Sequence, residues 1–102
     1  MTEEVIKYEI SKLEQLKKLH EEQEETHRKK NADYGDSFGI SFKKFGPISA
    51  LVRISDKYNR IEQLITTKER QVDDESLIDT LKDLSNYCLM TVIELERSKD
   101  RK

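Results

Sequence analysis

The residues that break helices all lie in one short segment, and this placement constrains the fold more than any other feature of the sequence. Only three of the 102 residues are glycine and one is proline. All four fall between positions 35 and 47, as Gly35, Gly39, Gly46 and Pro47. Because glycine and proline are the strongest local turn signals, long helices are expected on both sides of this segment. The sequence therefore predicts an all-α bundle of about three long helices and one short helix.

Apolar residues recur at helical spacing in each long segment. The first helix is predicted over about residues 3–32 and the second over about 47–67, and the third follows an N-cap at Asp73 or Asp74. Each helix should turn one apolar stripe into the core. These stripes are Ile6, Ile10, Leu13, Leu16 and Leu19 in the first helix, Leu51, Ile54, Tyr58, Ile61 and Ile65 in the second, and Leu77, Leu81, Leu84, Cys88 and Leu95 in the third.

The segment between the first two long helices predicts a short helix of its own. Gly35 is suited to end the first helix in a left-handed turn, and Ser37 is suited to cap the next helix. Phe38, Phe42 and Phe45 then follow at steps of four and three residues, so they share one helix face. This aromatic stripe is expected to pack in the core.

Composition indicates a small domain that depends on a partner. A chain of 102 residues is near the lower end of what buries a self-sufficient core, and 39% of its residues are charged against 34% hydrophobic. We therefore expect a single domain over residues 1–102 that is completed by a homo-oligomer, a dimer or a tetramer.

The charge pattern argues against direct nucleic-acid binding. The chain has 19 basic and 21 acidic residues and a net charge of −2, without the excess of positive charge that such binders show. No apolar run is long enough for a membrane span, and the first residues lack the pattern of a signal peptide. The single cysteine, Cys88, is expected to be a buried thiol of a cytoplasmic protein.

The third helix carries a strip of polar side chains opposite its predicted core stripe. With Glu75 set to zero and about 100° per residue, Asp79, Asp83 and Asn86 project near 40°, 80° and 20°. Further along, Met90 and Ile93 continue the same strip with apolar residues, which predicts that its edge lies at a subunit interface. Carboxylates stacked on adjacent turns repel each other, and a hard cation, Mg²⁺ or Mn²⁺, would relieve that repulsion. A solvated helix face is the alternative interpretation.

The second helix has a charged face of its own. Arg53, Asp56, Lys57 and Arg60 fall within an arc of about 100°. An outer face stabilised by salt bridges is one interpretation, and one carboxylate for a metal beside three cations for phosphates is the other. His20 and His27 on the first helix are interpreted as surface histidines rather than metal ligands.

Three ordered blocks of the sequence resemble a known family. They are KNADYGDSF, FGPISALVRISDKYNRI and DDESLIDTLKDLSNYCLM, and the likeness covers about Lys30 to Leu95. The chain resembles the nucleotide-modification-associated domain of bacteriophage and bacterial genomes, a branch of the all-α, MazG-like nucleoside triphosphate pyrophosphohydrolase superfamily. The larger relatives hold Mg²⁺ with E-x-x-E and E-x-x-D pairs and cleave a triphosphate to monophosphate and pyrophosphate. This chain has no E-x-x-E pair on its second helix, and Thr80 stands where the glutamate before Asp83 would be.

The resemblance implies roles for particular residues. It makes Asp79 and Asp83 the first candidates for metal ligands, followed by Glu75 and Asp56, and it leaves the catalytic residues unknown. The implied phosphate contacts are Arg53, Lys57, Arg60 and Lys30. Tyr34 is expected either to stack on a base or to pack against the phenylalanines, and Asn86 either to read a base edge or sugar hydroxyl or to hydrogen-bond within the bundle.

Three functions remain open at this point. The first is a Mg²⁺-dependent enzyme acting on a deoxynucleoside triphosphate or a modified nucleotide, which the carboxylate strip favours. The second is a protein that binds or sequesters a nucleotide without cleaving it, which the missing E-x-x-E pair favours. The third is a helical interaction module with charged outer faces.

Overall fold

The computed structural model describes residues 2–67 and 74–100, and within them the chain forms four helices and no strand. This confirms the predicted all-α class of three long helices and one short helix. None of the described helices has the length and apolar character that crossing a membrane requires. The helices group into two units, Met1–Gly35 and Asp36–Lys102. The elements are α1 (Glu3–Tyr34), α2 (Ser37–Phe45), α3 (Pro47–Thr66) and α4 (Asp74–Asp100).

The first unit contains α1, which continues two residues beyond the predicted end at about Ala32. The side chains of Ile6 and Ile10, which the prediction placed in the core stripe, lie outside the described part. The remaining residues of that stripe, Leu13, Leu16 and Leu19, are all exposed. The acidic and basic residues after them pair along the helix surface, where Glu25 contacts Arg28 and lies 4.0 Å from Lys29. These charged residues of α1 therefore lie on a solvated helix face.

The turn between α1 and α2 confirms one prediction and corrects another. Gly35 has φ of +65°, the left-handed conformation expected where α1 ends. The residue that caps α2 is Asp36 and not Ser37, because the Asp36 carboxylate accepts a hydrogen bond from the Gly39 amide at 3.3 Å. Ser37 is instead the first helical residue. The predicted N-cap of the third long helix at Asp73 lies outside the described residues, and α4 begins at Asp74.

A second glycine turn separates α2 from α3. Gly46 has φ of +76° and donates its amide to the Phe42 carbonyl at 2.8 Å. Pro47 is then the first residue of α3. Proline lacks an amide hydrogen, but amide hydrogens in the first turn of a helix have no partner within the helix, so this lack has no cost there. The Ser49 side chain closes the corner by donating to the Gly46 carbonyl at 2.8 Å.

In the second unit α3 and α4 form an antiparallel pair, and α2 packs against both. The direction follows from two contacts, Lys57 with Asp83 and Arg60 with Thr80, because a later residue on α3 meets an earlier residue on α4. The buried core is small. Within the described residues the buried apolar side chains are Phe42, Ala50, Ile61 and Leu64.

The face of α4 that packs against its neighbours differs from the predicted one. Its buried or half-buried positions include Thr80, Tyr87 and Glu94, which project near 140°, 120° and 100° on the wheel that starts at Glu75. The predicted core stripe centred near 200°, so the helix is turned by about 80° from the expectation. The prediction was wrong because α4 carries apolar residues on several sides, and helical periodicity alone does not select the side that meets α3.

Several predicted core residues are consequently exposed. On α4 the stripe keeps Leu77 and Leu84 half-buried but exposes Leu81 and Leu95. Cys88, expected to be a buried thiol, is exposed as well. The other helices show the same pattern, since they expose residues expected in the core, namely Leu51, Tyr58 and Ile65 on α3 and Phe45 on α2.

Candidate functional site

Two polar contacts join α3 to α4, and their four residues form what we term the polar cluster: Lys57, Arg60, Thr80 and Asp83. The Lys57 ammonium donates to the Asp83 carboxylate at 3.2 Å. One turn away, the Arg60 Nε donates to the Thr80 hydroxyl at 3.3 Å. Three of the four residues were predicted as site residues, and the rotation of α4 explains why Asp83 points toward α3.

Thr80 holds the arginine end of the cluster in place. Its side chain is only 3% exposed, and its hydroxyl donates to the Ser76 carbonyl at 2.7 Å while accepting from Arg60. Because one hydroxyl fills both roles, its rotation is fixed. Arg60 has five donors in total, of which Thr80 takes one. Across the described ranges no carboxylate forms an ion pair with Arg60, so its positive charge is not neutralised there.

At the other end of the polar cluster, the charges of Lys57 and Asp83 neutralise each other. The Lys57 side chain is 28% exposed and that of Asp83 is 38% exposed, so the pair is only partly shielded from water. A pair of this kind contributes modestly to stability and stays open to exchange with an ionic ligand. Among the described residues, the polar cluster therefore offers one guanidinium without a paired carboxylate, beside a neutral, partly exposed ion pair.

The remaining predicted residues of the second unit lie at the surface. Glu75, Asp79, Asp56 and Arg53 are exposed, whereas Asn86 is half-buried. On α3, Arg53 projects within about 60° of both Lys57 and Arg60, so the three cations share one side of the helix. The proposed ligand roles of these residues stay predictions.

The carboxylates do not form a closed metal site within one chain. Among the described residues there is no group of three or more acidic, histidine or cysteine side chains placed to hold a metal ion. Asp83 already accepts from Lys57, and Asp79 and Glu75 lie on earlier turns of α4. Hard oxygen donors of this kind suit Mg²⁺, which commonly binds through one or two carboxylates together with water and substrate phosphates. A metal ion at this place would therefore need oxygen ligands beyond these carboxylates, such as phosphate and water.

Two predicted residues, Lys30 and Tyr34, lie in the first unit on α1, where both are exposed. The same helix carries His20 and His27, also exposed. A hydrogen bond from Arg28, assisted by its positive charge and that of Lys29, holds the pKa of the Glu25 carboxyl below its usual value.

Sequence reasoning missed two residues that α4 turns inward. The Tyr87 ring meets the Phe38 ring with centroids 6.0 Å apart and planes tilted by 33°. Glu94 is 6% exposed, and within the described structure its Oε2 atom has no hydrogen-bond partner. Both project between Asp83 and Thr80 on the helical wheel, and only the correct rotation of α4 would have identified them.

Comparison with known protein families gives a match. The family described as nucleotide modification associated domain 1 matches residues 30–95, which include all of α2 and α3, most of α4 and the whole polar cluster. No curated protein and no solved structure matches the chain significantly.

Proposed function

Because the chain belongs to the nucleotide modification associated domain 1 family, we propose that it binds a nucleotide through the polar cluster, with the phosphates on the cations of α3. The observation that carries the proposal is the pair of contacts that hold Lys57 and Arg60 against α4. We take the ligand to be a deoxynucleoside triphosphate or a modified nucleotide, and the family description, nucleotide modification associated domain 1, supports a relation to nucleotides.

Preorganisation favours phosphate binding at this place. Long cationic side chains lose rotamer freedom when they bind a ligand, and this loss weakens binding. At Lys57 and Arg60 part of that loss has already occurred on folding, because Asp83 and Thr80 restrain them. Arg53 on the same side of α3 adds a third, exposed cation, and a guanidinium matches phosphate oxygens in a two-pronged geometry.

The Lys57–Asp83 ion pair of the polar cluster suits a nucleotide that binds together with a metal ion. A Mg²⁺ or Mn²⁺ ion, when bound, would neutralise phosphate charge and draw on carboxylate oxygens, with Asp83 and Asp79 as first donors and Glu75 and Asp56 as further ones. In such a ligand the metal ion is positive and the phosphate is negative, so the metal ion can face Asp83 while the phosphate faces Lys57. The Lys57 ammonium then contacts a phosphate oxygen instead of the Asp83 carboxylate.

Hydrolysis is the second candidate function, and the carboxylates of α4 favour it. In the MazG-like pyrophosphohydrolases that the sequence resembles, water cleaves the link between the α- and β-phosphates, so that a monophosphate and pyrophosphate form and a proton passes to solvent. Thr80 replaces one acid of the pattern, and it is occupied by Arg60 and the Ser76 carbonyl. Binding without cleavage is therefore the function that the geometry supports best.

Binding is tested by titrating the full chain with a panel of nucleoside triphosphates, modified nucleotides and cyclic nucleotides, with and without Mg²⁺ or Mn²⁺, by calorimetry. Arg60→Gln should weaken binding about tenfold or more, since it removes a charged contact. Arg97→Gln, an exposed arginine in the last turn of α4, is the matched control and should leave affinity unchanged. Equal losses in both variants, or no binding by the native chain, would refute the proposal.

Hydrolysis is tested in the same mixtures by following monophosphate and pyrophosphate. Asp83→Asn keeps the shape of the side chain and removes its charge, so an enzyme should lose turnover while helix content is retained. Products formed by the native chain alone would establish hydrolysis. A ligand that is recovered intact would establish binding without cleavage.

We further propose that the working form is a cytoplasmic homo-oligomer, a dimer or a tetramer. The described part of one chain buries only four apolar side chains and exposes many more, which is too small a core for a self-sufficient domain.

A further inference from the structure

Glu94 is a buried carboxylate of α4 that lacks a partner among the residues the structure describes. The residue is only 6% exposed, and no hydrogen bond reaches its Oε2 atom within that part of the chain. Buried charged groups in proteins are normally paired with an opposite charge or bind a metal ion, because an unpaired buried charge is costly. A buried carboxylate without a partner therefore points to a positive group that binds at this place.

The register of the antiparallel helices α3 and α4 shows which residue lies opposite Glu94. The reference is the contact between Lys57 and Asp83. Eleven residues along each helix from this contact, in opposite directions, lie Gly46 and Glu94. Eleven residues make three turns to within about 20°, so each new position keeps nearly the orientation of the old one. Glu94 therefore corresponds to Asp83, whereas a glycine, which has no side chain, stands where the lysine would be.

Hydroxyl side chains occupy the neighbouring positions of this register. The same shift along α3 leads from Arg60 to Ser49, and along α4 it leads from Thr80 to Thr91. Both hydroxyl residues are half-buried, and each donates its hydrogen to a backbone carbonyl, at 2.8 Å and 2.6 Å. Ser98, on the next turn of α4, does the same at 2.8 Å. Because a hydroxyl has one hydrogen, these groups have only oxygen lone pairs left to offer a ligand.

A small monovalent cation suits this set of groups. Glu94 supplies one negative charge, which one positive charge balances, and the hydroxyls near it in the register supply neutral oxygen atoms. Neutral oxygen atoms can replace the hydration shell of an ion such as K⁺. Mg²⁺ differs because it dehydrates reluctantly and usually keeps several waters. A carboxylate that is 6% exposed has little contact with bulk water, so its position favours an ion that gives up its water easily.

We propose that Glu94 binds a dehydrated monovalent cation, Na⁺, K⁺ or NH₄⁺, with oxygen atoms of Ser49 and Thr91 as further ligands. The ion then neutralises Glu94 as Lys57 neutralises Asp83, and it stabilises the packing of the C-terminal half of α4. The site is separate from the polar cluster, because eleven residues of α4 span about 16.5 Å. The inference is therefore independent of the proposed nucleotide binding.

The experiment is urea unfolding of the full chain, followed by circular dichroism, in the chloride salts of Na⁺, K⁺ and NH₄⁺ and in tetramethylammonium chloride at the same ionic strength. Tetramethylammonium carries one positive charge but is too large to reach a buried carboxylate. The native chain should be more stable in at least one of the three small-ion salts. An ion present at ten times its dissociation constant should raise the ratio of folded to unfolded chain about elevenfold.

Two variants of Glu94 and one matched control assign the effect to this carboxylate. Glu94→Gln keeps the shape of the side chain and removes its charge, so its stability should be the same in all four salts. Glu96→Gln is the control, because Glu96 is exposed on the same helix, and it should keep the full preference of the native chain. Glu94→Met should be more stable than the native chain in tetramethylammonium chloride, where no small cation neutralises the carboxylate, and this advantage should shrink in the preferred small-ion salt.

Each outcome decides for or against the cation site. Equal stability of the native chain in all four salts overturns it, and so does a preference that Glu94→Gln retains. A preference that Glu96→Gln also loses overturns it as well, because the effect would then belong to the general charge of α4. A preference lost only in the Glu94 variants supports the site, whether or not the chain binds a nucleotide.

Discussion

The contact between Lys57 and Asp83 joins α3 to α4, and a double-mutant cycle should show that it contributes about 1 kcal/mol to stability. Two unit charges at the observed 3.2 Å attract by about 1.3 kcal/mol at the dielectric of water and by about 5 kcal/mol at an effective value of 20. Fixing the lysine chain costs up to about 2 kcal/mol of rotamer entropy, and partial desolvation costs more. The net coupling is therefore expected near the upper end of the range for surface pairs.

The cycle uses Lys57→Met, which keeps most of the aliphatic stem, and Asp83→Asn, which keeps the shape of the carboxylate. Each single variant, the double variant and the native chain are unfolded with urea at one protein concentration and followed by circular dichroism. The control cycle uses Glu25 and Lys29, which lie 4.0 Å apart on the surface of α1 and should show a smaller coupling, because their side chains are more exposed to water than those of Lys57 and Asp83. A Lys57–Asp83 coupling below about 0.3 kcal/mol would refute the argument that this pair stabilises the contact between α3 and α4.

The same cycle tests the ligand role of Asp83. If a nucleotide with Mg²⁺ engages the polar cluster, Lys57 moves to phosphate and the carboxylate to the metal, so the measured coupling should fall when both are present. Mg²⁺ alone should change it little, because one or two carboxylates without phosphate bind this ion weakly. A coupling that stays constant while nucleotide binds would remove Asp83 from the ligand set and leave it a structural role.

Three further substitutions probe single contacts by urea unfolding. Glu94→Met should stabilise the chain by about 1–3 kcal/mol, because Oε2 is buried without a partner in the described structure; a loss of stability would show that the carboxylate is satisfied. Gly39→Ala should cost about 1 kcal/mol, because the new methyl would clash with the Asp36 carboxylate that caps α2, and fully additive losses with Asp36→Ala would contradict that cause. Thr80→Val should cost about 1 kcal/mol by removing the acceptor for Arg60, and an unchanged midpoint would contradict it.

The helices were predictable because their limits depend on local chemistry. Gly35 and Gly46 adopt positive φ, and Pro47 opens α3, as their residue types alone require. The N-cap of α2 was predicted at Ser37 instead of Asp36 because both residue types are good N-caps. Local sequence does not decide between adjacent candidates, whereas the hydrogen bond from the Gly39 amide does.

The rotation of α4 was not predictable in the same way. Ile78, Leu89 and Val92 widen its apolar surface well beyond the stripe around Leu84, so the wheel offers more than one side to pack. The structure selects the side that brings Asp83 to Lys57. Predicting that choice from sequence required knowing which residues of α3 face α4, which is a tertiary contact and has no local signal.

The rotation also connects the site to the oligomer. By packing a partly polar side against α3, α4 places Asp83 and Thr80 where they restrain two cations, and it leaves its most apolar side without cover from α3. Burying the exposed half of one such side chain contributes about 1 kcal/mol, so covering Ile78, Leu81, Leu89, Val92 and Leu95 would contribute several. That sum is comparable with the whole stability of a small domain, about 5–15 kcal/mol. A chain with this arrangement gains a restrained polar cluster at the expense of a self-sufficient core, and the proposed homo-oligomer would supply the missing burial.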